Sequence, residues 1–167
     1  MATVAIVGTG RMGSALGRSI ARAGHDIVLY NRTRARCDPL AAELGGRAVD
    51  SPAEAAAAAD VTITMLADDA AVRAVYTGDE GLIAGAHDGG VLVDMSTVLP
   101  ATLRSLEADV RATGSGLLDA PVSGSVTLAE SGGLTLMVGG TDDDLERARP
   151  ALDAVAKAIF QLGPLGT

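Results

Sequence analysis

Short apolar runs alternate along this chain with stretches of helical period. Thr3 to Val7 is an uninterrupted apolar run of the length of a buried strand. Ala15, Leu16, Ser19, Ile20 and Ala23 then recur at helical spacing, with Gly24 as the C-terminal stop. A second strand ends at Tyr30-Asn31-Arg32-Thr33, Pro39 to Leu44 reads as a short helix, and Arg47 to Val49 as a brief strand. Ser51-Pro52-Ala53-Glu54 opens an alanine-rich helix, with Ser51 as N-cap, Pro52 at N1 and Glu54 completing a capping box. Val61 to Leu66 is a buried strand, Asp69 to Tyr76 a helix, Val91 to Asp94 a strand, and Pro100 to Ala112 a helix closed by Gly114. Leu117 to Asp119, Leu134 to Val138 and Ala158 to Leu162 are further strands. Thr141 caps a helix with Asp142, Asp143 and Asp144 in its first turn, and Pro150 is expected to split that helical region. Strands alternating with helices, with no linker between them, predict an α/β fold: a doubly wound, Rossmann-type, mainly parallel sheet with helices on both faces.

The first strand runs directly into Gly8-Thr9-Gly10-Arg11-Met12-Gly13. In a GxGxxG turn between strand and helix, the first glycine permits the tight turn, the second lets the backbone approach a pyrophosphate, and the third lets the helix pack against the sheet. The phosphates then meet free N–H groups of the helix. Which dinucleotide is taken follows from the end of the second strand. An NAD site places an Asp or Glu there for the ribose 2′-hydroxyl, and that carboxylate repels a 2′-phosphate. This chain has Asn31, followed by Arg32 and Thr33, with Arg34 and Arg36 beyond. A guanidinium there pairs with phosphate or stacks on adenine, which points to NADP rather than NAD.

Charge sharpens this reading. The formal net charge is −8, yet residues 1–50 carry seven Arg against four acidic residues, net +3, and the rest of the chain is net −11. The overall sign argues against a nucleic-acid or anionic-membrane surface, and the basic end is the nucleotide end. A single cysteine, Cys37, excludes an internal disulfide. No apolar stretch is long enough to span a membrane, so the expected location is cytoplasmic. With 48% hydrophobic and only 2% aromatic residues, the core is built from Ala, Val, Leu and Ile.

Three later segments leave the ends of strands, where open α/β sheets place ligands. Met65, Leu66 and Ala67, followed by Asp68, leave the fourth strand under the adenosine and ribose. In Asp94-Met95-Ser96-Thr97, hydroxyls can face the nicotinamide amide or serve as local turn residues. Asp119-Ala120-Pro121-Val122-Ser123-Gly124-Ser125 combines a rigid proline with small residues whose N–H groups can hold a carboxylate. His25, His87 and the acidic cluster at Asp142 have no spacing for a triad or a metal site.

These segments together resemble the β-hydroxyacid dehydrogenase family, which includes 3-hydroxyisobutyrate dehydrogenases and tartronate semialdehyde (glyoxylate/succinic semialdehyde) reductases and is related to 6-phosphogluconate dehydrogenase. The resemblance covers essentially the whole chain. It rests on Gly8 to Gly13, on Gly24-His25 leading to Asn31-Arg32-Thr33, on Asp94 to Thr97 with Pro100, and on Asp119 to Gly124. It implies that Ser123 and Gly124 contact a substrate carboxylate, that Thr97 lies beside the nicotinamide, and that Leu66 and Ala67 line the cofactor. Ser125 replaces the glycine usual in the family, adding a hydroxyl and a Cβ beside the substrate.

In that family the last strand runs through a Gly-Pro-x-Gly segment into a long interdomain helix bearing the Lys that acts as general acid/base. Here Gly163-Pro164-Leu165-Gly166-Thr167 closes the sequence. The resemblance therefore implies a nucleotide-binding domain over residues 1–163, with 164–167 beginning the connection to a C-terminal helical domain. The catalytic Lys is expected beyond Thr167, and oligomerisation of the parent through that domain. Lys157, the one lysine, is expected on a helix surface before the last strand. Carbonyl reduction needs a proton donor worth about 10²- to 10⁴-fold, so residues 1–167 alone are expected to be inactive. Two other classes remain: the NADP domain of an imine reductase, and a non-catalytic NADP-binding scaffold.

Overall fold

The computed structural model describes all 167 residues. The chain runs β1 (Thr3–Val7), α1 (Arg11–Arg22), β2 (Asp26–Tyr30), α2 (Cys37–Leu44), β3 (Arg47–Ala48), α3 (Pro52–Ala57) and β4 (Val61–Thr64). It continues through α4 (Asp69–Tyr76), α5 (Leu82–Gly85), β5 (Val91–Asp94), α6 (Pro100–Ala112) and β6 (Gly116–Asp119). Then follow β7 (Val122–Ser123), α7 (Val126–Glu130), β8 (Leu134–Gly139), α8 (Asp142–Leu152) and β9 (Ala156–Gly163).

The parallel strands lie in the order β3-β2-β1-β4-β5-β6. The chain moves outward from β1 to β3, returns, and moves outward the other way from β4, so the order reverses between β1 and β4. Their carboxyl ends open the crevice where doubly wound sheets bind ligands. Beyond β6 the sheet changes direction. β8 runs antiparallel to β6 and β7, pairing Asp119 with Gly139, Val122 with Leu136 and Ser123 with Thr135. These pairings share one register, so β6 and β7 form a single line broken at Ala120-Pro121. β9 lies parallel to β8 at the far edge.

Both faces of the parallel strands β1 to β6 are covered, as a parallel sheet requires, while Met137, Phe160 and Leu162 on β8 and β9 are exposed. On one face Leu16 and Ile20 of α1, Leu40 of α2, and Leu145 and Leu152 of α8 pack on Ile6, Leu29 and Ile63. On the other, Val72 and Tyr76 of α4 and Leu103, Leu106 and Val110 of α6 pack on Val7, Leu92 and Leu117.

Several expected boundaries change. Pro150 does not split the last helix: α8 runs through it to Leu152. The proline costs one backbone bond, but Leu145, Ala148, Ala151 and Leu152 anchor the helix in the core, and Asp153 N–H resumes the ladder on Arg149 O at 2.8 Å. Lys157 stands exposed in β9 rather than on a helix. β4 ends at Thr64, short of Leu66. In the capping box, Glu54 reaches the N–H of Asp50, at 3.0 Å, instead of that of Ser51. The short α5, β7 and α7 have too few residues to show a period.

Candidate functional site

The turn from β1 to α1 separates the roles of its three glycines. Gly8 has φ +99°, and a Cβ there would lie 2.3 Å from Met65 O. A Cβ on Gly13 would lie 1.9 Å from Gly8 O. These two are demanded by the protein's own backbone. Around Gly10 nothing lies within 4 Å of an added Cβ, and its φ of −70° suits any residue. Its missing side chain leaves space for something else. α1 begins here with no side-chain cap and no acid in its first turn, so its first N–H groups have no intrahelical partner.

Asn31, at the end of β2, closes this turn from outside. Its Oδ1 accepts the Thr9 N–H at 3.1 Å, while its Nδ2 donates to Thr33 O at 3.1 Å. Gly8 N–H donates to Tyr30 O at 2.9 Å. Thr9 itself is buried behind the turn, its hydroxyl 3.8 Å from Cys37 Sγ. Burial pushes the Cys37 thiol above its ordinary pKa, so it stays a packed thiol.

A cavity of about 780 Å³ opens over these elements. Gly8, Gly10, Arg11, Met12 and Gly13 form one wall, and Asn31, Arg32 and Thr33 another. Met65, Leu66 and Ala67 close it from the loop after β4. Arg36 and Asp68, from the same two segments, also line it, and the structure adds lining that the sequence did not single out, the inner face of α4 at Ala70, Ala71 and Ala74. Arg36 belongs to the basic run after β2, and its neighbour Arg34 is held elsewhere. Arg34 is bound to Asp38, at 2.9 Å, and to Asp50. Arg11, Arg32 and Arg36 line the cavity with no carboxylate partner. The one acidic lining residue, Asp68, caps α4 by accepting Ala71 N–H at 2.8 Å. The cavity is thus cationic, with an aliphatic wall.

Next along the sheet is the loop after β5. Asp94 is 1% exposed, and its Oδ1 accepts the Ser96 N–H at 2.6 Å. Burial holds its carboxyl above the usual carboxylate range, and Oδ2 has no partner. Ser96 Oγ in turn accepts the Leu66 N–H at 2.9 Å, joining this loop to the cavity wall. Thr97 follows, exposed and outside the cavity.

Ser123, Gly124 and Ser125 also stand exposed outside the cavity, beyond the break at Pro121. Ser125 caps α7, its Oγ accepting the Leu128 N–H at 3.2 Å, a use of the hydroxyl that the sequence reading did not include. Gly124 has φ +146°, and a Cβ there would lie 2.7 Å from Leu134 Cδ2. Asp119 is buried, which raises its pKa, and its Oδ2 accepts the Gly166 N–H at 2.8 Å. Arg104 completes that clamp by donating to Gly166 O at 2.6 Å. Lys157 lies on the far side of β8 from Ser123. His25 Nδ1 accepts Ala2 N–H at 3.1 Å, and His87 Nε2 lies 3.1 Å from Ala59 O. No helix is long and apolar enough to cross a membrane.

Residues 3–163 match the family described as the NAD binding domain of 6-phosphogluconate dehydrogenase. The chain is 38% identical to glyoxylate/succinic semialdehyde reductase 2, chloroplastic, of Arabidopsis thaliana, covering 98% of this chain and 46% of that protein. A structure of Mycobacterium tuberculosis 3-hydroxyisobutyrate dehydrogenase with L-serine superposes with a TM-score of 0.90 at 36% identity, over 99% of this chain and 56% of that one. An imine reductase variant from Myxococcus stipitatus in complex with NAD+ superposes with a TM-score of 0.88 at 25% identity, over 99% and 56%. The chain spans about half the length of the curated relatives it matches.

Proposed function

The chain belongs to the family of the NAD binding domain of 6-phosphogluconate dehydrogenase, and from that premise we propose that it binds NADP(H) and serves hydride transfer to or from a small β-hydroxyacid or semialdehyde. The observation that carries the choice of cofactor is the pairing at the end of β2. Asn31 turns its carboxamide inward to the glycine turn, while Arg32 and Arg36 line the cavity without a carboxylate partner. No acid stands where a ribose diol would be held. Arg32 and Arg36 are two guanidinium groups available to an extra phosphate.

The rest of the site fits the same ligand. A pyrophosphate takes the open side of Gly10 and the uncapped N-terminus of α1, with Arg11 beside it. Arg32 and the alanines of α4, which line the same cavity, are the surfaces offered to the adenine. With its adenosine end over β2, the dinucleotide extends along the carboxyl edge past β1 and β4, and its nicotinamide arrives at β5 and Thr97. When bound, NADP(H) supplies or accepts the hydride. Ser123 and Gly124 offer a hydroxyl and an N–H group to the substrate carboxylate, on the line that continues from β6. Within residues 1–167 the lone lysine, Lys157, stands on β9, across β8 from Ser123.

The test compares 2′,5′-ADP with ADP, ligands that differ at the 2′-phosphate. Tighter binding of 2′,5′-ADP, lost in Arg32→Ala and reduced in Arg36→Ala, is the expected outcome. Equal affinity in the unmodified protein contradicts the NADP assignment.

A further inference from the structure

We propose that Ser96 is a positioning residue: it fixes Thr97 against the wall of the dinucleotide cavity, so that filling the adenosine end restrains the Thr97 loop before the nicotinamide end is engaged. The inference rests on the NADP reading above. Ser96 is buried and held twice, its N–H on Asp94 Oδ1 at 2.6 Å and its Oγ on the Leu66 N–H at 2.9 Å. Leu66 lines the cavity, and Thr97, the residue after Ser96, is exposed beyond it.

A second tie lies on the other flank of Thr97. Asp69 of α4 accepts the Leu99 N–H at 2.9 Å and the Thr102 hydroxyl at 2.5 Å. α6 has no side-chain cap of its own, so a neighbouring helix supplies the acceptor. Arg73, one turn further along α4, donates to Ser105 Oγ at 2.9 Å and to Thr102 Oγ1 at 3.2 Å. The inner face of that same helix lines the cavity through Ala70, Ala71 and Ala74. Thr97 is therefore pinned on both sides to elements that form the cavity wall, and a ligand that steadies the wall steadies Thr97.

Two probes test this: 2′,5′-ADP, which has the adenosine and its phosphate but no nicotinamide, and NADPH. In the unmodified protein, saturating 2′,5′-ADP should slow hydrogen exchange at the amides of Thr97 and Leu99 as well as in residues 65–75. Slowing confined to 65–75 overturns the proposal. Ser96→Ala should weaken NADPH binding by about three- to tenfold, the scale of one net hydrogen bond, while 2′,5′-ADP changes by less than about twofold. Ser96→Thr, which keeps the hydroxyl, should restore NADPH binding. Equal losses for the two ligands would make Ser96 a general support of the pocket, and no loss for either would leave it without a role; both results overturn the proposal. An unmodified chain that binds neither ligand removes the NADP reading, and the proposal with it, so the two failures are told apart.

Discussion

The backbone N–H of Thr9 donates to the side-chain Oδ1 of Asn31 across 3.1 Å, tying the middle of the glycine-rich turn to the end of β2. One carboxamide thereby orders the glycine-rich turn and leaves the end of β2 without a negative charge at this position. Both consequences are testable at the same position.

Asn31→Asp keeps an acceptor for Thr9 N–H but puts a carboxylate beside Arg32 and against Thr33 O. It should weaken NADP(H) by on the order of tenfold or more, as a charged contact is worth about 1.5 to 3 kcal/mol, while NAD(H) binding holds or improves. Parallel titrations of the variant with both cofactors check this. An unchanged preference would mean that the end of β2 does not select the nucleotide.

The glycines of the turn make a second prediction, because their missing Cβ atoms face different things. Gly13→Ala forces a contact with Gly8 O and should destabilise the fold by about 1–3 kcal/mol or more. Gly10→Ala meets no protein atom and should leave stability within about 0.5 kcal/mol while abolishing most dinucleotide binding. Denaturant midpoints and cofactor titration of the two variants separate these effects. Intact binding by Gly10→Ala would place the pyrophosphate elsewhere.

Arg11 occupies the first turn of α1, where a cation opposes the helix macrodipole by about 0.3 to 1 kcal/mol. It has no carboxylate partner to offset this, and it lines the cavity. Arg11→Ala should leave the melting temperature of the ligand-free protein equal or slightly higher and weaken NADP(H) binding. A clear loss of thermal stability with binding intact would assign Arg11 a structural role.

The order of strands and helices is legible in the sequence because most elements are long enough to show their period, and α4, β5 and α6 appear with the ends that the apolar pattern, Asp68 and Pro100 indicate. The glycine turn and the basic end of β2 are legible for another reason: Gly8 and Gly13 answer to local backbone geometry. Long-range contacts are not. Arg34 meets Asp38 at i+4, but its tie to Asp50 and the place of Arg36 on the cavity wall are not written in the spacing. The ties from Ser96 to Leu66 and from Asp69 to Leu99 join residues thirty apart, and arise only when β4 and β5 pair. Pro150 misleads because a local cost is outweighed by the burial of Leu145, Ala148, Ala151 and Leu152.

Asp94 gives a pH prediction. Burial raises its folded-state pKa above the unfolded value, so the folded state holds its proton to higher pH than the unfolded state. Stability from this group is therefore greatest in acid, and falls as pH rises from the unfolded pKa through the folded one. Asn at this position keeps the Oδ1 acceptor for Ser96 without the buried charge. Asp94→Asn should be more stable than the unmodified protein at pH 7.5, with the difference shrinking as pH is lowered through the carboxylate range. Denaturant unfolding at several pH values checks this, and a gap that widens in acid would show the opposite sign.

The account turns on the nucleotide that the cavity selects, and calorimetric titration of the unmodified chain with NADP+ and with NAD+ tests that most directly. It predicts that NADP+ binds more tightly by a factor corresponding to on the order of 1.5 to 3 kcal/mol, and that Arg32→Ala erases most of the difference. Equal affinities, or tighter binding of NAD+, would contradict it.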